Sequence, residues 1–351
     1  MKLAQPNGDV YSSYKAAMHR DKMDQIRRGE LITPLNIQWD LTNQCNLNCV
    51  FCFYHLYPLT DWDRKATMDT TLVMELLGEV SRMGVRSIEW TGGGEPTLHK
   101  DWRAIFTRAA TLGFEQALVT NGTLLKPGDM PLLAGFEWVR FSVDAATAET
   151  YVRTKGGDYF QKVIDNITLL LKVRKPENVI GFSFIVCPEN YMEIGKAASL
   201  AKSLGCDNIR FSLAMTPKHD ALFEGIWSEC VKQLDEARSL EDDHFRVFAF
   251  SNRINALSQT TLSHHCHYCQ FVAVIAPAGL YPCCRLKDEG KFNLGALDNH
   301  ASFGQVWFSQ KRADFVKSVA KHGCLYDCWM TDKNEFIHYL TLQNPRHGNF
   351  V

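Results

Sequence analysis

Between residues 35 and 215, short runs rich in β-branched and aromatic residues alternate with longer amphipathic stretches. The runs predict strands at Leu35–Leu41, Ser87–Thr91, Gln116–Thr120, Trp138–Val143, Val179–Cys187 and Asn208–Ala214, each followed by turn or polar residues. The stretches between them predict helices. After Asp69, a good N-cap, TTLVMELLGEVSRM places Leu72, Val73, Leu76, Leu77, Val80 and Met83 on one face, and Gly84 ends the helix. Asn190 and Glu193 have the spacing of a capping box, and Gly205 closes the helix that follows. Strands alternating with helices of this length imply βαβ units and a parallel sheet, either open and doubly wound or curled into an incomplete barrel. In both, chemistry is expected at the carboxyl ends of the strands.

Beyond about residue 225 the pattern changes. A helical stretch, Ala221–Leu240, leads into paired cysteines, glycine turns and little regular periodicity. No linker rich in Pro, Ser or Gly separates the parts, so the second module is expected to pack directly on the first. The expected division is an N-terminal extension (1–34), the alternating domain (35–225) and a smaller domain (226–351). The stretch YKAAMHRDKMDQIRR is basic and potentially helical, and no role is assigned to it.

The chain has 351 residues, 46% of them hydrophobic and 22% charged, with a net charge of −1. That supports a substantial core and argues against a protein built to coat nucleic acid; no basic stripe points to such a partner. No apolar run approaches the ~20 residues needed to span a bilayer. The start MKLAQPNGDV lacks the apolar stretch of a signal peptide. The expectation is a soluble, cytoplasmic protein without a membrane partner.

In a reducing compartment the twelve cysteines would be surplus as disulfides, and they are clustered. Cys45, Cys49 and Cys52 follow the first strand. Cys266, Cys269, Cys283, Cys284, Cys324 and Cys328 lie in the last third. Three thiolates within eight residues can converge on one centre from a single loop. A structural zinc site, the alternative, takes four protein ligands in two pairs, and only His55 stands nearby as a fourth. The second strand runs into Thr91-Gly92-Gly93-Gly94-Glu95-Pro96, where glycines let the backbone approach a ligand and Glu95 can accept from an ammonium. The bland reading is a tight strand–helix turn. The third strand ends at Asn121-Gly122 and the fourth at Ser142-Val143-Asp144, which read blandly as a turn and a helix cap.

The C-x3-C-x2-C spacing, with aromatic Phe51 before the last cysteine, resembles the signature of the radical S-adenosylmethionine (SAM) superfamily. The resemblance implies a partial (β/α)6 barrel and a [4Fe–4S] cluster on Cys45, Cys49 and Cys52. Its open iron would chelate SAM, and an electron from the cluster would cleave SAM to a 5′-deoxyadenosyl radical that abstracts hydrogen from carbon. It also implies a one-electron reductant such as flavodoxin or ferredoxin. Gly92, Gly93, Gly94 and Glu95 resemble the family's motif for the SAM amino group, while Asn121, Ser142 and Asp144 resemble positions that contact its ribose or carboxylate.

Further on, Cys269, Gly279 and Cys284 give C-x9-G-x4-C, followed by Cys324-x3-Cys328. This resembles the SPASM/twitch extension of these enzymes, in which such a run opens a β-hairpin holding an auxiliary [4Fe–4S] cluster. The VAVIA and LYPCC segments joined by Pro-Ala-Gly suit a hairpin with thiolates at its base. The expected ligands are Cys269, Cys284, Cys324 and Cys328, with Cys266 and Cys283 as spares or substitutes. Zinc on Cys266, Cys269, His265 and His267 is the alternative. Cys206 and Cys230 read as inert. Cys187, at the end of the fifth strand, is either a buried thiol or a hydrogen-atom donor to a substrate radical.

By resemblance, enzymes with one auxiliary cluster oxidise or epimerise secondary alcohols of polar small molecules, or modify ribosomally made peptides by crosslinking or epimerisation. Peptide maturases often carry a leader-binding domain of about eighty residues before the cluster. Only 44 residues precede Cys45, and the chain ends RHGNFV, without the Gly-Gly of the first molybdenum-cofactor enzyme. The expected function is oxidation or epimerisation at carbon in a polar small molecule, with peptide maturation as the alternative. A non-enzymatic zinc-binding or nucleic-acid-interaction protein is the reading of another class.

Overall fold

The computed structural model describes residues 12–56, 62–214, 222–249, 266–287, 289–298, 300–322 and 330–342. The six expected strands form as β1 (Asn36–Asp40), β2 (Ser87–Thr91), β3 (Glu115–Thr120), β4 (Trp138–Ser142), β5 (Val179–Val186) and β6 (Asn208–Leu213). They pair in parallel in chain order. Three more strands join them: β7 (Arg246–Ala249), β8 (Val272–Ala276) and β9 (Gly279–Tyr281). The sheet runs β7-β6-β5-β4-β3-β2-β1-β8-β9. It is the α/β sheet that the alternating pattern predicts, extended at both edges.

The two faces of the sheet differ in chemistry, because side chains alternate along a strand. Trp39, Trp90, Leu118, Val139, Phe141, Phe182 and Phe211 form the core with the flanking helices. The in-register residues of the opposite face include Gln38, Asp40, Glu89, Arg140, Ser142, Ser183 and Arg210.

Helix Thr70–Arg82 starts as its sequence dictates. Asp69 Oδ1 accepts from the Thr71 and Leu72 amides at 2.8 and 3.1 Å, and Val73, Leu76, Leu77 and Val80 are buried. The expected Asn190/Glu193 capping box does not form. Asn190 instead accepts from Cys187 N and donates to the carbonyls of Asp144 and Ile185. Glu193 accepts from Ala146 N, Thr147 and Thr150. Both side chains are drawn across to the loop after β4, whose polar groups offer better-placed partners than the helix's own first turn.

The stretch read as the start of a second module continues the sheet. Helix Trp227–Arg238 packs on helix Ile194–Leu204, and β7 pairs with β6. The VAVIA segment, buried throughout, lies parallel to β1 before turning into the antiparallel β9. The hairpin expected from VAVIA and LYPCC therefore forms, but as the sheet's own edge. The N-terminal helix Arg20–Arg27 packs with this edge: Met23, Ile32, Phe271, Val272 and Ile337 make a second apolar cluster. Among the described residues no helix is long and apolar enough to cross a membrane.

Candidate active site

Parallel pairing brings the carboxyl ends of β1 to β6 to one rim, and the loop bearing Cys45, Cys49 and Cys52 leaves β1 there. Helix ends leave carbonyls without intrahelical partners. At the end of helix Ala148–Lys155 the Thr154 and Lys155 carbonyls accept from the Val50 and Asn48 amides, at 2.9 and 3.2 Å. Gly156, at φ +75°, lets the backbones meet; a Cβ there would stand 3.0 Å from Asn48 O. Burial pushes all three thiols up, Cys49 to about 11, while the nearby Lys155 ammonium opposes the shift. Cys45 and Cys52 both act electrostatically on Cys49, so the three share one site.

The glycine run is pressed against this loop. A Cβ on Gly94 would lie 2.1 Å from Gln44 O, and one on Gly93 2.1 Å from the Trp62 ring. Glu95 N donates to Gln44 O at 2.8 Å. The Glu95 carboxylate is consumed internally: Oε1 accepts from Thr97 N, Thr97 Oγ1 and Thr120 Oγ1, and Oε2 accepts from Asn121 N at 2.7 Å. In this arrangement Glu95 staples β2 to β3. Asn121 Nδ2 points at the cysteine loop, 2.9 Å from Asn46 Oδ1 and 4.0 Å from Cys45 Sγ.

Two buried ion pairs flank the loop. Asp144, the one described non-glycine residue with positive φ (+59°), accepts from Lys155 Nζ at 2.5 Å and from Ile185 N at 2.7 Å. Burial works against the Lys155 charge, but Asp144 and the Cys49 thiol hold its pKa above the usual value. Lys155 Nζ also lies 5.6 Å from the Phe51 ring centre. Asp144, expected to face a cofactor, thus turns to Lys155. Ser142 ends β4 on the polar face, half-buried. Cys187 packs with Phe51 and Ala214, beside Cys49, and burial with the Glu189 carboxylate raises its pKa.

The second pair joins the sheet to the C-terminal segment. Asp40 Oδ2 accepts from Lys287 Nζ and, at 3.0 Å, from the Gly93 amide. Lys287 Nζ also lies 5.1 Å from the ring centre of Tyr54, which stacks on Trp62 with centroids 4.4 Å apart. One ammonium therefore touches the glycine run through Asp40 and the cysteine loop through Tyr54.

The family profile described as "Radical SAM superfamily" matches residues 39–201, from the end of β1 into the helix after β5. Residues 39–201 belong to the radical SAM superfamily. The "Tungsten-containing aldehyde ferredoxin oxidoreductase cofactor-modifying protein" of Pyrococcus furiosus is 29% identical over 53% of this chain and 54% of its own length. A "Probable GTP 3',8-cyclase" of Saccharolobus solfataricus is 30% identical over 58% of this chain and 62% of its own. The chain thus spans less than two thirds of the length of these relatives. The solved structure of Streptococcus suis SuiB bound to S-adenosylmethionine shares the fold, with a TM-score of 0.65 at 15% identity, covering 88% of this chain and 75% of that one. SuiB has also been solved bound to its precursor peptide SuiA.

The donor set fits the radical SAM cofactors. Three half-buried thiols in one another's field, beside a buried ammonium, suit an anionic iron–sulfur centre, and the glycine run offers backbone where a side chain would not fit.

The C-terminal thiols are only partly in view, since Cys324, Cys328 and His265 lie outside the described residues. Cys269 Sγ donates to the Cys266 carbonyl at 3.2 Å, Cys283 and Cys284 are neighbours in the chain, and the charge of Cys266 reaches Cys283. The structure therefore brings the expected spares, Cys266 and Cys283, together with Cys269 and Cys284. Among the described residues no three His, Cys, Asp or Glu side chains surround a position for a single metal ion. Cys206 and Cys230 are buried in the core. Sequence reasoning missed Asp40, Lys155 and Lys287; the acidic residue closing β1 was the available signal for the first.

Proposed function

We propose that this radical SAM protein is an enzyme that oxidises or epimerises a polar small molecule at carbon. Cys45, Cys49 and Cys52 would hold the [4Fe–4S] cluster, and the Gly92–Glu95 run with Asn121 and Ser142 would line the SAM pocket. Bound there, cluster and cofactor supply reductive cleavage of SAM and a carbon radical that takes a hydrogen atom. The protein's part is positional. Glu95 and Asp40 hold the glycine run, Lys155 balances the thiolate charge, and Phe51 packs beside the loop. Cys187, packed beside Phe51, would return a hydrogen atom to a substrate radical. An auxiliary [4Fe–4S] cluster on the C-terminal cysteines would accept the electron released when such a radical is oxidised to a carbonyl.

The observation that carries this reading is the convergence of the three-cysteine loop, the glycine run and Asn121 at one rim above a polar sheet face. Gln38, Glu89, Arg140 and Arg210 on that face favour a polar substrate. The second reading is a peptide maturase, favoured by the shared fold with SuiB bound to its precursor peptide across 91% of this chain.

Anaerobic reconstitution with iron and sulfide tests the proposal, using wild type beside the Cys45→Ala/Cys49→Ala/Cys52→Ala variant. Two [4Fe–4S] clusters predict about eight irons in wild type and about four in the variant. Only the wild type, once reduced, should release 5′-deoxyadenosine from SAM. Absence of iron and of SAM cleavage in wild type would end the enzyme reading. Hydrogen transfer from a peptide library, and not from polyols or amino sugars, would favour the maturase.

A further inference from the structure

Arg312, on the helix Gln310–His322, is completely buried. Its guanidinium lies over the Trp307 ring, 3.6 Å from the centroid, and Nη1 donates to Trp307 O at 3.3 Å. Nε and Nη2 are buried with no hydrogen-bond partner. No carboxylate forms an ion pair with Arg312 among the described residues. A dry guanidinium with two unused donors is unfavourable unless an anion completes it. The Cys269 thiol is close enough for its charge to act on Arg312. Cys266, whose carbonyl accepts from Cys269 Sγ, and Cys283 extend that group of thiols.

We propose that Arg312 is the counter-cation of an anionic metal–thiolate centre that includes Cys269, donating from Nε and Nη2 to its sulfur atoms. The inference rests on the auxiliary-centre part of the proposed function and adds what holds that centre's charge. A thiolate-ligated cluster carries net negative charge, and a planar fork of N–H donors suits sulfur acceptors fixed beside it. The Trp307 ring supports one face of the guanidinium, and Trp307 Nε1 is itself anchored to Ile32 O at 2.8 Å. The unpaired donors are thus held in place before any metal arrives.

The test compares wild type, Arg312→Met and Arg312→Lys as full-length chains, with and without reconstituted metal. Without metal, Arg312→Met should melt no lower than wild type, because it removes an uncompensated buried charge. With metal it should melt lower and either lose the second half of the iron or show a more negative auxiliary midpoint potential in an EPR-monitored titration. Arg312→Lys should retain the metal, with a smaller shift. A merely structural role would lower the melting temperature of both forms alike and leave the potential unmoved, which overturns the proposal. Wild type holding only about four irons and no zinc also overturns it, while leaving the SAM-binding cluster intact. One zinc in place of the second cluster refutes the iron assignment alone, and zinc retention in Arg312→Met at the wild-type level would then count against Arg312.

Discussion

Lys155 and Asp144 form an ion pair at 2.5 Å with side chains 3% and 0% exposed, directly behind the three-cysteine loop. The same lysine's carbonyl accepts from the Asn48 amide, so one residue holds the loop by its backbone and balances its charge by its side chain. A buried pair of this kind is costly to break from one side, since the surviving charge has no partner. Lys155→Met should destabilise the metal-free protein by about 3–5 kcal/mol in urea unfolding. Adding Asp144→Asn should recover most of the loss, and asparagine tolerates the left-handed backbone at that position. A double variant no better than the single one would show that the pair is not the cause.

Glu95 gives a second, sharper case. Its two oxygens face two backbone donors on opposite sides, Thr97 N and Asn121 N. In Glu95→Gln, whichever way the amide is turned, its NH2 meets one of those N–H groups. The expected cost is about 1–3 kcal/mol of stability, with weaker SAM binding by reconstituted protein. Unchanged stability would mean that the carboxylate is not the staple between β2 and β3.

The rim was legible in the sequence because its parts are local. A strand end, a cysteine spacing and a glycine run each sit within a few residues, and parallel pairing does the rest. Helix Thr70–Arg82 was legible for the same reason, with Asp69, its apolar stripe and Gly84 all in one segment. The charges behind the rim were not. Lys155 meets Asp144 across a helix, and Lys287 meets Asp40 from 247 residues further along the chain; neither lysine lies in a recognisable motif. The hairpin of VAVIA and LYPCC was readable, but its docking beside β1 was not, because a fully buried strand shows no alternation to mark its neighbour.

The three glycines before Glu95 should rank by what an added methyl would strike. At Gly94 it meets backbone at 2.1 Å, at Gly93 the Trp62 ring at 2.1 Å, and at Gly92 nothing nearer than 3.3 Å. Iron retention after reconstitution should fall furthest for Gly94→Ala, less for Gly93→Ala and least for Gly92→Ala. In the double variant Gly93→Ala/Trp62→Ala retention should recover, since a side chain can be trimmed where backbone cannot move. Equal retention in all three single variants would contradict the close approach.

Lys287→Met should resemble Lys155→Met in stability, at about 3–5 kcal/mol, because Asp40 is equally buried. Its signature should be local. Hydrogen exchange of the metal-free protein should quicken at the Gly93 amide and around Tyr54, while helix Ala148–Lys155 stays protected. Loss of protection at both places alike would point to general loosening instead.

The position of β8 has a bearing on how the chain is made. β1 takes its second neighbour, β8, from a segment more than 230 residues later in the chain, after β2 to β7 have been made. Until β8 arrives, β1 presents an unpaired row of amides and carbonyls, flanked by residues as apolar as Ile37 and Trp39. A nascent chain in that state is an invitation to wrong pairing, either with another copy or with its own later strands. Closing the edge needs contacts between distant parts of the sequence, which form slowly. The C-terminal segment thus covers the edge that β1 would otherwise expose, and yields of chains truncated before residue 272 should suffer through aggregation even where the cysteine loop is intact.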